Sequence, residues 1–325
     1  MTGFLLRRVA ASALLLLLVL TATFLLLHLA PGDPLGLLAH PRVPPEQREA
    51  LRQLWGLDQP LAARYLRWLG GVVRGDWGTS FLFRRPAGAV LLAALPNTLL
   101  LGGAALLVQL VVAVPLGVAA GRRPGSPLDH GIRVGSLLLY SLPTFWVGLM
   151  ALLLFAYGLG LFPPSHLHGV GAESLSPGLR VLDLLHHLAL PALVLGLTSA
   201  GGLLRFVRSS VLEAMGQPHV LAARARGLSE RRVVWVHGLG SALGPLLQLL
   251  GLSLPALLGG ALVTEVVFSW PGLGRLAWSA MLARDYPLIL AVTAWSAALV
   301  LVGNLLADLL QAAADPRVRE ATHAV

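Results

Sequence analysis

The feature that most constrains this chain is a series of uncharged apolar runs, each long enough to cross a lipid bilayer. Residues 9–29 contain no acidic residue and no arginine, and residues 87–121 contain no charged residue at all. A helix crosses the hydrocarbon core in about 20 residues and satisfies its own backbone hydrogen bonds there. Runs of this length therefore predict membrane-spanning helices.

The composition agrees with a protein whose solvent is largely lipid. Hydrophobic residues make up 56% of the chain and charged residues 12%, whereas soluble domains are about 25% charged. We predict an all-α, polytopic membrane protein with six transmembrane helices. The predicted spans are about 9–29, 96–121, 134–161, 188–204, 243–268 and 288–314.

The placement of arginine predicts the orientation of these spans. All 24 residues counted as Lys or Arg are Arg, and the net charge is +9. Arg7 and Arg8 precede the first span, and a cluster of arginines lies between residues 205 and 232. Because basic loops stay in the cytoplasm, both termini are predicted to be cytoplasmic. The arginines form no long basic stripe, so no nucleic-acid partner is expected.

The spans divide the sequence into successive segments. The first transmembrane helix occupies 1–30, and an external loop with short helices occupies 31–94. A core of five transmembrane helices follows at 95–315, and a cytoplasmic tail at 316–325.

The cytoplasmic loop at about 213–240 has the signals of a helix, a sharp corner and a second helix. Pro218 suits the first turn of a helix, and most of the residues that follow it are good helix formers. Gly227 suits the left-handed position that ends a helix. Ser229 is a predicted N-cap of the next helix, with Glu230 favourable in its first turn.

The residues alone leave two interpretations of this corner open. A short cytoplasmic helix suits docking to a partner, because Ala222, Ala223 and Ala225 would allow close approach. Arg224 and Arg226 would then offer fork-shaped donors to carboxylates or carbonyls of the partner. Alternatively, the loop lies at the membrane interface and its arginines only contact anionic lipid headgroups.

The loop resembles the conserved "EAA" loop of the permease subunits of bacterial ATP-binding-cassette importers, with Gly227 in the glycine position. The dipeptide/oligopeptide/nickel branch is most similar, with roughly Tyr-Val-x-Thr-Ala-Arg-Ala-Lys-Gly-Leu in this place. The glutamate that names the motif is replaced by Leu221, and Gly240 stands where the family has a proline. The residues that the resemblance assigns to ATPase coupling are His219, Val220, Leu221, Ala222, Ala223, Arg224, Ala225, Arg226, Gly227, Leu228 and Ser229.

Further segments resemble the same branch, in the same order along nearly the whole chain. They are LHLAPGDP at 27–34, GDWGTS at 75–80, LPTFWVG at 142–148, EVVFSWPGLG at 265–274, RDYP at 284–287 and DPRVR at 315–319.

The resemblance implies a type I importer permease fold in the cell inner membrane. It implies four partner subunits: a second homologous permease, two ATPases and an extracytoplasmic substrate-binding protein, besides membrane lipid. Peptides are the expected substrates, and nickel or another small solute is the alternative. No cofactor is expected to bind this chain, and no enzyme activity is expected of it.

Three polar residues in the predicted spans are candidates for the pathway or its gate. Glu265, near the outer end of the fifth span, would face the bundle or water, or would pair at the membrane edge with an arginine such as Arg275. Asn304 and Asp308 lie four residues apart on one face of the sixth span. They would line the pathway or hydrogen-bond to a neighbouring helix.

Other kinds of site are not indicated. His28, His186 and His187 have no carboxylate or cysteine set at ligand spacing, so no metal site is predicted. The chain has no lysine and hence no Gly-x-x-x-x-Gly-Lys phosphate loop, so any ATP is hydrolysed by another chain.

Two other classes of protein were weighed against an importer permease. An ion-coupled secondary transporter predicts inverted repeats and broken helices with midplane charges, and the sequence shows neither. A membrane anchor without transport activity would not need a helical corner on its cytoplasmic side.

Overall fold

The computed structural model describes residues 2–29, 58–240, 246 and 261–314. Within these ranges the secondary structure is helical, apart from an isolated antiparallel bridge between Thr79 and Pro86. The prediction of an all-α fold is confirmed.

Among the described residues, ten α-helices have defined bounds, and they are numbered in chain order. They are α1 (Thr2–Leu29), α2 (Leu61–Val73), α3 (Ala87–Arg122), α4 (Pro127–Ser141), α5 (Thr144–Ala151), α6 (Pro177–Met215), α7 (Pro218–Ala225), α8 (Glu230–Arg232), α9 (Leu273–Leu282) and α10 (Tyr286–Ala314). The helices α5 and α8 continue as π-helical turns over Leu152–Gly158 and Val233–Gly238.

Among the described residues, four helices are long and apolar enough to cross a membrane, and they contain the first, second, fourth and sixth predicted spans. These segments are Leu6–Leu29, Ala87–Arg122, Pro177–Met215 and Tyr286–Leu306. The fourth predicted span was the shortest, yet α6 has 39 residues. The helix is longer than the predicted span because it continues through the arginines that end the apolar run. It also begins earlier, at Pro177, which stands in its first turn.

The third predicted span is not one straight helix. Helix α4 and the segment from Thr144 to Gly158 are bent by 101° relative to each other. The bend lies at Leu142, whose ψ of 136° is extended, because the ring of Pro143 disfavours a helical residue before it. No charged residue lies within 134–161.

Several predicted segments lie outside the described residues. Of the fifth span, 243–268, the structure describes 246 and 261–268, and residues 261–267 are helical. The segment 30–57 of the external loop and the tail from 315 onward also lie outside the described residues.

The chain divides into two compact units. The core unit contains Thr98–Trp270 and the chain from Val302 onward, and the N-terminal unit contains Thr2–Asn97 and Pro271–Leu301. Helices α3 and α10 each contribute residues to both units, so the division follows packing rather than the predicted segments.

The N-terminal unit is held together by a buried carboxylate beneath an apolar cluster. Asp285 is 0% exposed and accepts hydrogen bonds from the Ser80 hydroxyl, the Leu82 N–H at 2.9 Å and the Leu288 N–H at 3.2 Å. The cluster includes Leu91 of α3 beside Leu288. The carboxylate thus joins residues 80–82, at the end of the 75–80 motif, to the start of α10.

We expect Asp285→Ala to destabilise the protein, because a buried N–H group, a partly buried N–H group and a buried hydroxyl lose their acceptor. The expected loss is about 2 kcal/mol, measured as a lower midpoint of thermal unfolding in detergent. Asp58→Ala is the matched control, because Asp58 is exposed. Equal unfolding midpoints for the two variants would contradict this account.

The core unit depends on a close approach of α3 and α6. A Cβ atom at Gly117 would lie 2.8 Å from Val207 Cβ, and one at Gly121 would lie 2.6 Å from the Arg208 carbonyl oxygen. This small-x-x-x-small spacing lets two helix backbones meet. Gly102 and Gly103, earlier on α3, have no such neighbour in the described residues, because no atom lies within 4 Å of a Cβ built at either.

Candidate functional site

The candidate site is the corner between α6 and the π-helical turn 233–238. Helix α6 ends at Met215, and two residues later Gln217 occupies the N-cap of α7. Its carbonyl accepts from the N–H groups of Val220 and Leu221 at 3.0 and 3.1 Å. Pro218 stands in the first turn of α7, where its missing N–H costs nothing, as predicted.

Helix α7 ends in a Schellman motif centred on Gly227. The Leu228 N–H donates to the Ala223 carbonyl at 3.4 Å, and the Gly227 N–H donates to the Arg224 carbonyl at 2.9 Å. Gly227 has φ +76°, as predicted, and nothing lies within 4 Å of a Cβ built there. The glycine is therefore required by backbone conformation and not by lack of space.

An ion pair spans the corner. Arg224 donates to Glu230 through Nη2–Oε1 at 2.6 Å and Nε–Oε2 at 3.2 Å. This hydrogen bonding raises the pKa of Arg224 and lowers the pKa of Glu230. The sequence analysis offered Arg224 to a partner; the structure instead pairs it within the corner, because the turn at Gly227 brings the first turn of α8 back to it.

The inner face of α7 packs on the chain that follows the corner. Val220 is 0% exposed and Ala223 is 3% exposed, and both pack against Val233 with Met215 and Leu228 around them. The expectation that Ala223 lies open to a partner was therefore wrong, because its methyl group fills this small core.

The outer face of α7 is open to solvent. Leu221 is 50% exposed, and His219, Ala225 and Arg226 are also exposed, while Ala222 is half-buried. An apolar side chain beside a small residue and a guanidinium is a surface that a protein partner can cover.

The second half of the corner is less regular than the sequence suggested. Ser229 does occupy an N-cap position, but its side chain makes no capping hydrogen bond. Helix α8 has 3 residues and passes directly into the π-helical turn. Gly240, where the family has its proline, is the last residue before a segment outside the described residues.

A buried ion pair joins α4 to α6 above the corner. Asp129, 0% exposed, accepts from Arg208 through Oδ1–Nε at 2.6 Å and Oδ2–Nη2 at 2.8 Å, and the Arg208 side chain is 18% exposed. The Gly125 N–H donates to Asp129 Oδ2 at 2.9 Å, and Ser126 Oγ accepts from the Asp129 N–H at 3.2 Å. The two hydrogen bonds from Arg208 thus fix the start of α4 against α6, and the other two stabilise the turn in which α4 begins.

The sequence analysis missed this pair. Ser126 followed three residues later by Asp129 is a recognisable N-terminal helix signal. It indicates where α4 begins, but it contains no information about Arg208, which lies 79 residues away in the chain.

Removing one member of the pair should destabilise the protein more than removing both. We expect Asp129→Asn to lower the free energy of unfolding by about 3 kcal/mol, because Arg208 keeps a largely buried charge without a counter-ion. The double variant Asp129→Leu/Arg208→Met should recover most of that loss. Thermal unfolding in detergent measures both, and a double variant no more stable than the single one would contradict the expectation.

Glu265 lies inside the core unit. Its side chain is 0% exposed, and Thr98 Oγ1 donates to its Oε1 at 2.6 Å. The helical segment 261–267 ends just after it, where the Trp270 N–H donates to the Glu265 carbonyl at 2.8 Å. The carboxylate therefore faces protein rather than lipid, as a charge in a span must.

Asn304 and Asp308 share one face of α10, as predicted. Asn304 Oδ1 is buried and accepts no hydrogen bond from any residue that the structure describes. Asp308 is half-buried.

The histidine side chains lie within hydrogen-bonding or ion-pairing distance of neighbouring groups of the chain. His28 Nδ1 lies 2.7 Å from the Phe24 carbonyl, and His186 Nε2 lies 2.8 Å from the Leu161 carbonyl. His187 lies beside Asp183, whose other oxygen is 2.8 Å from His168 Nδ1. In the described part of the chain, no group of three or more His, Asp or Glu is arranged to hold a metal ion.

These features define a multi-pass membrane protein whose spans are joined by a fixed, solvent-exposed helical corner. The chain belongs to the family described as binding-protein-dependent transport system inner membrane component, which matches residues 113–320. The N-terminal region of such components matches residues 1–102. The chain is therefore a multi-pass inner membrane component of a transport system, and the resemblance drawn from the sequence is confirmed.

Curated relatives match nearly the whole chain. The oligopeptide transport system permease protein AppB of Bacillus subtilis (strain 168) is 40% identical over 98% of this chain and 99% of its own. The dipeptide transport system permease protein DppB of Escherichia coli (strain K12) is 35% identical over the same shares. The di/tripeptide transport system permease protein DppB of Pseudomonas aeruginosa (strain UCBPP-PA14) is 38% identical over 91% and 93%.

A solved structure supports the type I permease fold. The chain is similar to one from the inward-facing MetNI methionine ABC transporter, with a TM-score of 0.57 and 18% identity. The match covers 70% of this chain and 96% of that chain.

Proposed function

We propose that this chain is the permease subunit of an ATP-driven importer and forms the pathway for peptides delivered by an external binding protein. The observation that carries the proposal is the corner at Gly227: a Schellman turn, closed by an ion pair, that holds an exposed helix face at the end of α6. Such a corner can transmit a push from a partner to a spanning helix.

Peptide substrates are supported by the relatives. Three permeases of similar length, at 35%, 38% and 40% identity, are named for dipeptides, di/tripeptides or oligopeptides. Nickel or another small solute remains the alternative that the resemblance left open. No arrangement of His, Asp or Glu side chains in the described residues favours nickel.

The proposed assembly contains a second homologous permease, two ATPase subunits and an extracytoplasmic binding protein. The ATPases hydrolyse ATP, and this chain binds no cofactor and catalyses no reaction. The chain has no lysine and hence no Gly-x-x-x-x-Gly-Lys phosphate-binding loop, which supports the assignment of ATP hydrolysis to other subunits. The other contacts of the chain are with membrane lipid, and none are with nucleic acid.

The proposed mechanism is alternating access driven through α7. The ATPase contacts the outer face of α7, including Leu221, and moves it when ATP brings the two ATPases together. The apolar contact of Val220 with Val233 and the pair of Arg224 with Glu230 make the corner move as one piece. The pair of Asp129 with Arg208 passes the movement from α6 to α4. Coupling requires that the ATPase binds the corner differently in the two states.

Glu265, Asn304 and Asp308 are the proposed pathway or gate residues. Glu265 is held by Thr98 inside the core unit, where a change of packing would expose or cover a carboxylate. Asn304 has a buried oxygen without a donor among the described residues, which suits a group that meets substrate or water during transport.

Uptake of labelled peptide into proteoliposomes that contain all the proposed subunits tests the function. We expect uptake to require ATP and the binding protein. Uptake driven by a proton gradient without any ATPase would contradict the proposal and favour a secondary transporter. ATP-driven uptake of nickel but not of peptide would contradict the substrate assignment alone.

Gly227→Val should uncouple the importer, because a β-branched residue strongly disfavours φ +76°. We expect normal membrane insertion, with loss of peptide uptake and of the stimulation of ATPase activity by the loaded binding protein. Gly227→Asn is the matched control, because asparagine tolerates the left-handed conformation and the space is open. Full transport by the Val variant would count against the corner.

A further inference from the structure

The core unit contains an apolar cavity that the proposed transport mechanism does not use. It lies among α3, α4 and α6 and has a volume of about 180 Å³. Leu116 at its edge is 39% exposed, so the cavity reaches the surface of the unit. The other lining residues are Val112, Ile132, Gly135, Ser136, Leu139, Leu197, Ala200, Gly201 and Leu204.

The lining accepts hydrocarbon and little else. Ser136 contributes its one hydroxyl, which already donates to the Arg133 carbonyl at 2.9 Å. A peptide in this cavity would bring backbone N–H and C=O groups that the lining side chains could not satisfy, at a cost of about 1–3 kcal/mol for each group. An acyl chain has no such groups, and its burial is favourable.

A positive charge lies next to the cavity, because Arg205 directly follows the lining residue Leu204. The Arg205 guanidinium carbon lies 4.6 Å from the centre of the Tyr140 ring. Tyr140 follows the lining residue Leu139, and its Cβ lies 3.2 Å from a Cβ built on the lining residue Gly201. In the described part of the chain Arg205 forms no salt bridge, whereas Arg208, one turn further on, is fully engaged by Asp129. Tyrosine and arginine beside an apolar surface are typical of the membrane interface.

We propose that this cavity binds one anionic phospholipid, with an acyl chain among α3, α4 and α6 and the headgroup phosphate on Arg205. A planar guanidinium binds phosphate with two parallel hydrogen bonds. An amphipathic ligand with an anionic head matches both the apolar lining and the positive charge next to it. The site lies beside the Asp129–Arg208 pair, so lipid there would fill and stiffen the packing of α4 on α6. The proposal does not depend on the substrate of the importer.

The test is retention of lipid by the full chain in its assembled complex. The complex is taken from nanodiscs of mixed phosphatidylglycerol and phosphatidylcholine, and bound lipid is counted by native mass spectrometry. Gly135→Leu should fill the cavity and remove one retained phosphatidylglycerol, because a Cβ at Gly135 meets open space. Gly131→Leu is the matched control: it lies on the same helix, also meets open space and does not line the cavity.

The headgroup contact is tested separately. Arg205→Gln should lower the preference for phosphatidylglycerol over phosphatidylcholine at this site about fivefold, which corresponds to about 1 kcal/mol for one arginine near an anionic headgroup. Arg180→Gln, near the other end of α6, should leave the preference unchanged.

Equal retention of phosphatidylglycerol by the Gly135→Leu and Gly131→Leu complexes would overturn the proposal. An unchanged preference in Arg205→Gln would overturn the headgroup assignment. Recovery of a peptide from this site would overturn the choice of ligand.

Discussion

In the hydrocarbon core of a membrane, the backbone N–H and C=O groups of a spanning chain can hydrogen-bond only to one another. The rest of this structure depends on that constraint. It makes the spans helical whatever their side chains do. Function is therefore found where a helix stops, because each stop needs a local device to satisfy the freed groups. In this chain the devices are Pro143 at the bend, Gly227 at the corner after α7 and Asp285 at the start of α10.

The corner at Gly227 and the start of α4 are stabilised by different interactions, and the difference fits the roles proposed for them. The corner at Gly227 is closed by the half-exposed ion pair of Arg224 with Glu230 and by a small apolar contact. This suits a surface that a partner binds and displaces. The start of α4 is fixed by a fully buried carboxylate that accepts three hydrogen bonds, which suits a rigid connection between α4 and α6. In the proposed mechanism, movement applied at α7 therefore reaches α6 and α4 together.

The sequence predicted those parts of the fold that are determined locally. Run length identified α1, α3 and α10, and the chemistry of Pro218 and Gly227 placed the corner correctly. Contacts across the chain could not be predicted in this way. Asp129 and Arg208 are 79 residues apart, and nothing near Ala223 indicates that Val233 covers it. Pro143 was visible, but prolines are tolerated inside spanning helices, so its bend of 101° followed only from the structure.

The central claim is that the exposed face of α7 docks on an ATPase subunit, and site-directed cross-linking tests it most directly. The chain has 0 cysteines, so a single introduced thiol can carry a photoreactive group without background labelling of this subunit. We predict that Leu221→Cys, at a site 50% exposed, cross-links to the ATPase, and that the yield changes when ATP is bound. Val170→Cys, exposed and on the opposite predicted side of the membrane, should give no such product. Equal yields from the two positions, or no ATPase adduct from Leu221→Cys in an assembled and active complex, would contradict the account.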